Sequence, residues 1–319
     1  PLEPRNGVGA TRLRIPDSGP WQTISEYMVS RFGHLDPEVL LTRFDHGGVV
    51  NAKGESLSRE TPLSVERFVW YYRDPPEERE IPFEPEILYE DKDLLVVDKP
   101  HFLPTTPSGK FLQNTTLVRL RNRLGNDDLA PIHRLDRLTA GVVMFSTRPE
   151  TRGAYQTLFA RRRVKKEYEA YAMLPLDWRP DAPMLGAQPF PVTVRSHIHK
   201  ERRVLRVQEL TGEPPNAETV IELLDFDDKR MHLRLLPRTG QMHQLRVHLA
   251  SLGSGILNDP FYPVLLDEAP DDFDRPLQLL ARSICFIDPL TKTSREFTSR
   301  RTLSDGNSLE SPKSNHTLS

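Results

Sequence analysis

The stretch PIHRLDRLTAGVVMFS, residues 131–146, joins a charged loop to an apolar run, and the fold follows from how the two halves meet. VVMFS at 142–146 has the length and β-branched content of a buried strand. Thr139-Ala140-Gly141 before it reads as a turn. Upstream again, Asp136 lies between Arg134 and Arg137, so a carboxylate is held on a loop at a sheet edge, where functional groups are commonly carried. Beside two cations an aspartate stands as a carboxylate anion, the form that can act as nucleophile or base. On local composition alone, a structural surface Arg–Asp pair is the favoured reading.

Working outward, ILYED and LLVVDKP within residues 87–100 and MHLRLLP at 231–237 are further strand-type runs. A helix is expected over Pro149–Arg161, with Tyr155, Leu158, Phe159 and Arg162 at helical spacing. A second is expected after Thr239-Gly240, where Met242, Leu245, Leu249 and Leu252 form a stripe that Gly253 ends. Strands mixed with scattered helices, without regular βαβ alternation, indicate an α+β fold on a central, largely antiparallel mixed sheet. No internal repeat is present.

The chain divides by composition. Residues 1–20 read as a flexible arm and 301–319 as a polar tail, neither of them contributing to a core. Residues 21–72 read as a small α/β module with helices at Thr23–Phe32 and Pro37–Phe44 and a turn and strand in GGVVNAKGESL. Between them and the domain at 87–300, residues 73–86 (RDPPEEREIPFEPE) hold four prolines and six acidic residues, the composition of a linker.

With 43 Lys+Arg against 45 Asp+Glu in 319 residues, the formal charge of −2 excludes a protein that coats nucleic acid by bulk charge. The balance is uneven, however: residues 101–210 carry 19 basic and 10 acidic side chains, a net +9 that leaves −11 elsewhere. Arg161-Arg162-Arg163 and Lys165-Lys166 lie in that segment and would attract a polyanion locally, although a solvated helix end explains the arginine run as well. The one cysteine, Cys285, excludes an internal disulfide framework and a multi-cysteine zinc site and fits a reducing compartment, with the cytoplasm as the default. No apolar run approaches the roughly 18 residues of a membrane span, and PLEPRNGVGATRLRIP lacks the apolar core of a secretory signal. His197-x-His199 has no further ligand at metal-site spacing, so no metal is expected there.

HRLDRLTAG resembles the HRLDxxTSG signature of the RluA family of pseudouridine synthases. Three more segments resemble that family in the right order: ILYEDKDLLVVDKP (87–100), VKKEYEAY (164–171) and RTGQMHQLRVHLASLGSGILNDPFY (238–262). Ala217-Glu218-Thr219 and LLARSICFIDPL extend the similarity to about residue 300. His133 at the head of the signature favours this family over the related RsuA type. The resemblance implies that Asp136 is the catalytic carboxylate, that Tyr168 contacts the target base and that Arg246 pairs with the aspartate. It implies further that Arg134 enters the RNA where the nucleotide leaves its stack, and that His133, Arg137, Lys166, His243 and Gln244 face the substrate. The reaction detaches uracil at nitrogen 1 and reattaches it through carbon 5, so it needs neither cofactor nor metal. Attack on ribose, abstraction of a ribose proton and addition to the base all remain open to Asp136.

Four positions depart from the family pattern: Gln241 for Arg, Asn258 for Gly, Ala140 for Ser, and His101-Phe102 within KPxGL. The loss of a cation at Gln241 bears on phosphate binding rather than bond cleavage. The amino-terminal module resembles the two-helix RNA-binding domain that often precedes this catalytic domain, with Arg31 and Arg43 as its main cationic candidates. The expected protein is a cytoplasmic monomer acting on rRNA or tRNA, with no membrane, DNA, cofactor or metal partner. A non-catalytic RNA-folding factor using the same cleft is the alternative. A glycosidase would need a second free carboxylate, for which Asp259 is a candidate.

Overall fold

The computed structural model describes residues 1–73, 77–201 and 204–303. The amino-terminal module is built from β1 (Thr11–Arg14), α1 (Ile24–Arg31), α2 (Pro37–Asp45), β2 (Val49–Val50) and β3 (Phe68–Tyr71). Both helices start where side chains supply caps. Thr23 accepts from the Glu26 amide at 3.2 Å, and Asp36 accepts from the Glu38 amide at 3.0 Å ahead of Pro37. The helices pack on an antiparallel sheet ordered β1-β3-β2. β1 corrects the expected flexible arm: Leu13 and Ile15 sit in the module core with Ile24, Met28, Phe44, Val49 and Val69. The arm was misplaced because TRLR has one inward apolar residue between two arginines, too short a pattern to register as a strand.

The expected linker is also corrected in part. Asp74, Pro75 and Pro76 lie outside the described residues, but from Glu78 onward the chain is docked on the main domain. The Glu78 carboxylate accepts three successive amides, those of Leu112, Gln113 and Asn114, each at 2.8 Å. Arg119 donates to the carbonyls of Ile81 and Phe83, and Ile81 is buried in the main core. Pro82 and Pro85 bring no amide donor, and Arg119 of the neighbouring domain satisfies the carbonyls of Ile81 and Phe83 before and between them.

The main domain continues with β4 (Glu86–Glu90), β5 (Leu94–Lys99), α3 (Thr116–Leu124), β6 (Ala130–Pro131), β7 (Ala140–Ser146), α4 (Pro149–Ala160), β8 (Val164–Met173), β9 (Met184–Leu185) and β10 (Gln188–Pro189). It ends with β11 (Val192–His199), β12 (Gln208–Leu210), β13 (Ala217–Phe226), β14 (Arg230–Pro237), α5 (Gln244–Ser251), β15 (Leu279–Ile287) and β16 (Ser294–Thr298). One sheet runs β12-β11-β13-β14-β8-β15-β7-β5-β4, with β16 on β15 and β6 on β7. All its pairings are antiparallel except β15 with β7, so the expected α+β architecture on a largely antiparallel mixed sheet is the one observed. At that parallel pairing Gly141 has φ +112°, and a Cβ there would run into the Ala281 backbone. Only glycine permits the close approach.

β5 is buried along its whole length, Asp98 and Lys99 included. Ser299 donates to both Asp98 carboxylate oxygens at 2.9 Å and the Arg300 amide at 2.7 Å, which ties residues 299–301 into the core. The remainder of the expected polar tail, from residue 304, lies outside the described residues. α5 differs from the expected amphipathic helix. Its residues 244–249 are all buried, while Met242 lies before the helix and is exposed. A helix enclosed on every side has no polar face for the pattern to alternate with. Among the described residues no helix is long and apolar enough to cross a membrane.

Candidate active site

The loop from Ile132 to Thr139 is nailed down by its own apolar residues. Ile132, Leu135 and Leu138 enter three different core clusters, which leaves Asp136 to project the other way, its side chain 26% exposed. The backbone is as firmly fixed. The carbonyl of Leu135 accepts from Thr105 Oγ1, that of Asp136 from the Thr139 amide, that of Arg137 from Lys99 Nζ and that of Leu138 from His101 Nδ1, at 2.7–3.1 Å. Thr105 Oγ1 in turn accepts the Leu135 amide at 3.1 Å. Four consecutive carbonyls with donors leave this loop no easy alternative conformation. Burial pushes Lys99 well below the usual lysine range and His101 down to about 4, so the imidazole is neutral and its Nδ1 carries the proton given to Leu138.

Asp136 opens into a cavity of about 440 Å³ lined also by His133, Arg134, Phe159, Arg162, Lys166, Tyr168, Arg238, Gln241, His243 and Arg246. That volume is within the range that encloses small organic groups. Arg246 Nη1 stands 3.6 Å and His243 Nε2 3.8 Å from Asp136 Oδ2. Both belong to the start of α5, whose amino-terminal end is electrostatically complementary to a carboxylate. His243 and Arg246 are buried, 8% and 2% exposed. His243 has a left-handed backbone, φ +53°, and its Nδ1 meets the Tyr262 hydroxyl at 3.2 Å. Burial takes its ring down to about 4, so it faces Asp136 uncharged.

Arg246 gives its fork to Asp259, Nε to Oδ2 at 2.7 Å and Nη2 to Oδ1 at 2.6 Å, and turns its remaining nitrogen to Asp136. Burial works against its charge. The hydrogen bonds and charge of Asp259, with that of Asp136, outweigh burial and hold the guanidinium above its ordinary value. Asp259 is thereby engaged and wholly enclosed, so it is not the free second carboxylate that a glycosidase would need.

Tyr168 comes from β8, paired with Ala281 on one side and Leu235 on the other. Burial first, and the Asp136 charge second, raise its phenol above the usual range, so at neutral pH it is a hydrogen-bond donor with an aromatic face. Two residues before it, Lys166 donates to the Thr239 carbonyl at 2.7 Å, and burial lowers it to about 8. It is charged at neutrality and loses that charge just above. His133 stacks on Phe159, ring centroids 4.6 Å apart, and its Nε2 accepts the Met144 amide at 3.2 Å. Burial drives it down to about 3, a neutral ring held at the cavity wall.

Gln244 ties Thr239 and Gln241 to Glu218 and Thr219 through four hydrogen bonds, so it orders the loop before α5 although it also lines the cavity. Arg137 is the expected substrate contact that is not brought in. It forms a fork with Asp271 at 2.7 and 2.9 Å and lies 5.4 Å over the Phe111 ring, turned away from the cavity. Arg134 is exposed at the mouth, with Arg162 and Arg238 beside the same opening. Arg238 was not singled out in the sequence, and Asp259 was singled out only as a free carboxylate, because the partners of each, Glu218 and Arg246, are set by the fold. In the amino-terminal module, Arg31 and Arg43 serve internal contacts, to the Tyr27 hydroxyl and the Tyr72 carbonyl.

The sequence profile of RNA pseudouridylate synthases matches residues 93–251. Pseudouridylate synthase RPUSD2 of Mus musculus is 35% identical over 176 residues, 55% of this chain and 30% of the mouse protein. The chain therefore spans under a third of that relative. Dual-specificity RNA pseudouridine synthase RluA of Salmonella typhi is 30% identical over 214 residues, which cover 66% of this chain and 90% of the relative. Among solved structures, human RNA pseudouridylate synthase domain containing 1 superposes with a TM-score of 0.53 at 24% identity, over 70% of this chain and 86% of the other. That likeness concerns the fold.

Proposed function

The chain belongs to the RNA pseudouridylate synthase family, and from that membership we propose that it isomerises specific uridines to pseudouridine in a structured rRNA or tRNA, with Asp136 as the reacting carboxylate. The observation that carries this reading is the placement of Asp136 itself. A carboxylate on a loop whose carbonyls from Leu135 to Leu138 all have donors faces a nucleotide-sized cavity against a guanidinium, a neutral imidazole and a protonated phenol.

Such preorganisation costs nothing further when the reaction occurs. Uridine leaves its stack and enters base first. Tyr168 supplies a face for the uracil ring and a proton donor for its oxygens or for the detached base. Arg246, clamped by Asp259, keeps Asp136 aimed while the glycosidic bond breaks. Uracil turns within the cavity, so that a bond from ribose carbon 1 to carbon 5 replaces the broken bond to nitrogen 1; carbon 5 gives up its proton, nitrogen 1 takes one up, and the sum of atoms is unchanged. Arg134, Arg162, Lys166 and Arg238 meet the phosphates and the gap in the stack at the mouth. In this reading residues 87–300 form the catalytic domain and 21–72 an accessory module.

The test is incubation of the purified protein with rRNA and tRNA transcripts free of pseudouridine, followed by mapping of the modified base. Wild type should introduce it at defined positions, and Asp136→Asn should introduce none while keeping the wild-type circular dichroism. Equal product from Asp136→Asn would remove Asp136 from the chemistry. An RNA-folding factor would show wild-type RNA binding with no product from either protein.

A further inference from the structure

The last strand of the amino-terminal module begins FVWYY, residues 68–72. Val69 and Tyr71 are buried in the module core, so the alternation of β3 turns Phe68 and Trp70 to the opposite face, with Tyr72 next in the row. None of these three rings closes the core, although the Tyr72 hydroxyl donates to the Glu3 carbonyl. On the neighbouring strand Leu13 points inward while Arg12 stands opposite Trp70 and Arg14 opposite Phe68, both exposed. The Arg12 guanidinium lies 4.6 Å from the Phe68 ring centroid, that of Arg67 5.9 Å from the same ring, and that of Arg5 3.9 Å over Tyr72. Asp17 reaches Arg14 at 3.7 Å between two well-exposed side chains, an ion pair too solvated to cancel the patch.

Phe68 and Trp70, with Arg12 and Arg14 opposite them, thus share a sheet face that neither the module core nor the reaction at Asp136 uses, and Arg67, Arg5 and Tyr72 adjoin it. Aromatic faces take unstacked bases, and arginines beside them take the phosphates and add cation–π attraction. The Phe68 and Trp70 ring centroids are 6.4 Å apart and tilted by 53°, nearly twice the roughly 3.4 Å repeat of a stacked nucleic-acid strand. The row therefore suits a splayed single strand and not a duplex. We infer that this face binds a single-stranded RNA segment flanking the modified uridine. The inference rests on the RNA reading above, and it moves the module's RNA contact from its helices to its sheet.

The test uses the full chain and a 4-thiouridine-containing single-stranded oligonucleotide, with cross-links mapped by mass spectrometry and affinity read by anisotropy. Cross-links should fall within residues 68–72. Trp70→Ala should weaken binding about tenfold or more. Arg12→Glu with Arg14→Glu, both at exposed positions, should weaken it and lower the salt slope by about 1.4. Cross-links confined to residues 87–300, or affinities of both variants within twofold of wild type, would overturn the inference while pseudouridine formation stands. A protein partner captured on this face, with RNA binding unaltered, would overturn it too. Failure of the wild type both to bind and to modify RNA would instead sink the functional reading.

Discussion

Arg246 holds two carboxylates with different parts of one side chain, and this division separates its structural role from its chemical one. Asp259→Ala leaves a buried guanidinium whose fork has lost its partner, which should cost about 3–5 kcal/mol of stability. Replacing the pair together, Arg246→Met with Asp259→Leu, should recover most of that loss in a denaturant titration yet restore no product; recovered activity would show that Arg246 only packs. Phe102 poses a second question of balance. It stands where the resembling motif has glycine, with φ +66°, and its ring is buried against Phe83 and Phe273. Losing such a ring costs about 3–5 kcal/mol, whereas relief of the left-handed backbone returns about 1–2. Phe102→Gly should therefore be destabilised by roughly 2 kcal/mol, and a stabilised variant would contradict this. Asn258, also at a glycine position with φ +61°, is the milder solution, because asparagine tolerates that region. Asp136 was legible in the sequence because its signature is local. The function of Asp259 was not, since it is defined by a fork onto a helix residue thirteen positions earlier.

At the scale of elements, the loop between β6 and β7 is a fixed part of the sheet edge and not a flexible connection. Thr105, from the segment after β5, both donates to and accepts from Leu135. Thr105→Val keeps the shape and strands one amide and one carbonyl in a dry site, at about 1–3 kcal/mol each. The loop, once free to shift, should lose kcat by more than tenfold with little change in KM, since a displacement of an ångström at the reacting group is costly. A variant with wild-type kcat would show that the Leu135 bonds do not set the Asp136 geometry. Elements with a strong period were the readable ones: β7 and β14 as apolar runs, α1, α2 and α4 from their spacing, the last with a proline in its first turn. β1 was hidden by its two outward arginines. α5 was found but misjudged, because a helix enclosed all round has no stripe to read.

For the whole molecule, the class of fold could be inferred from the mixture of periods, but the strand order could not, because β15 enters between β7 and β8 from more than a hundred residues away. That insertion builds the cavity, and with it an unusual concentration of uncharged histidine. His243 and His248 are buried in the main domain and His101 and His133 half-buried, and desolvation depresses His101, His133, His243 and His248 to about 4, 3, 4 and 4. Unfolded, each would titrate near 6.5. Between about pH 4 and 6.5 the unfolded chain thus binds protons that the folded chain refuses, so stability rises with pH across that window. It is complete above 6.5 and drains away as the solution is acidified. The urea midpoint should fall steadily from pH 7 to pH 4.5, reversibly and before most carboxylates titrate. His133→Gln keeps an acceptor for the Met144 amide and removes one titrating ring, so its stability should fall less steeply, by up to about 1.4 kcal/mol per pH unit near pH 5. A urea midpoint flat between pH 7 and 5, or a His133→Gln profile parallel to wild type, would mean that these rings are reached by water and protonated in the native state. The site around Asp136 would then be wetter than its packing implies.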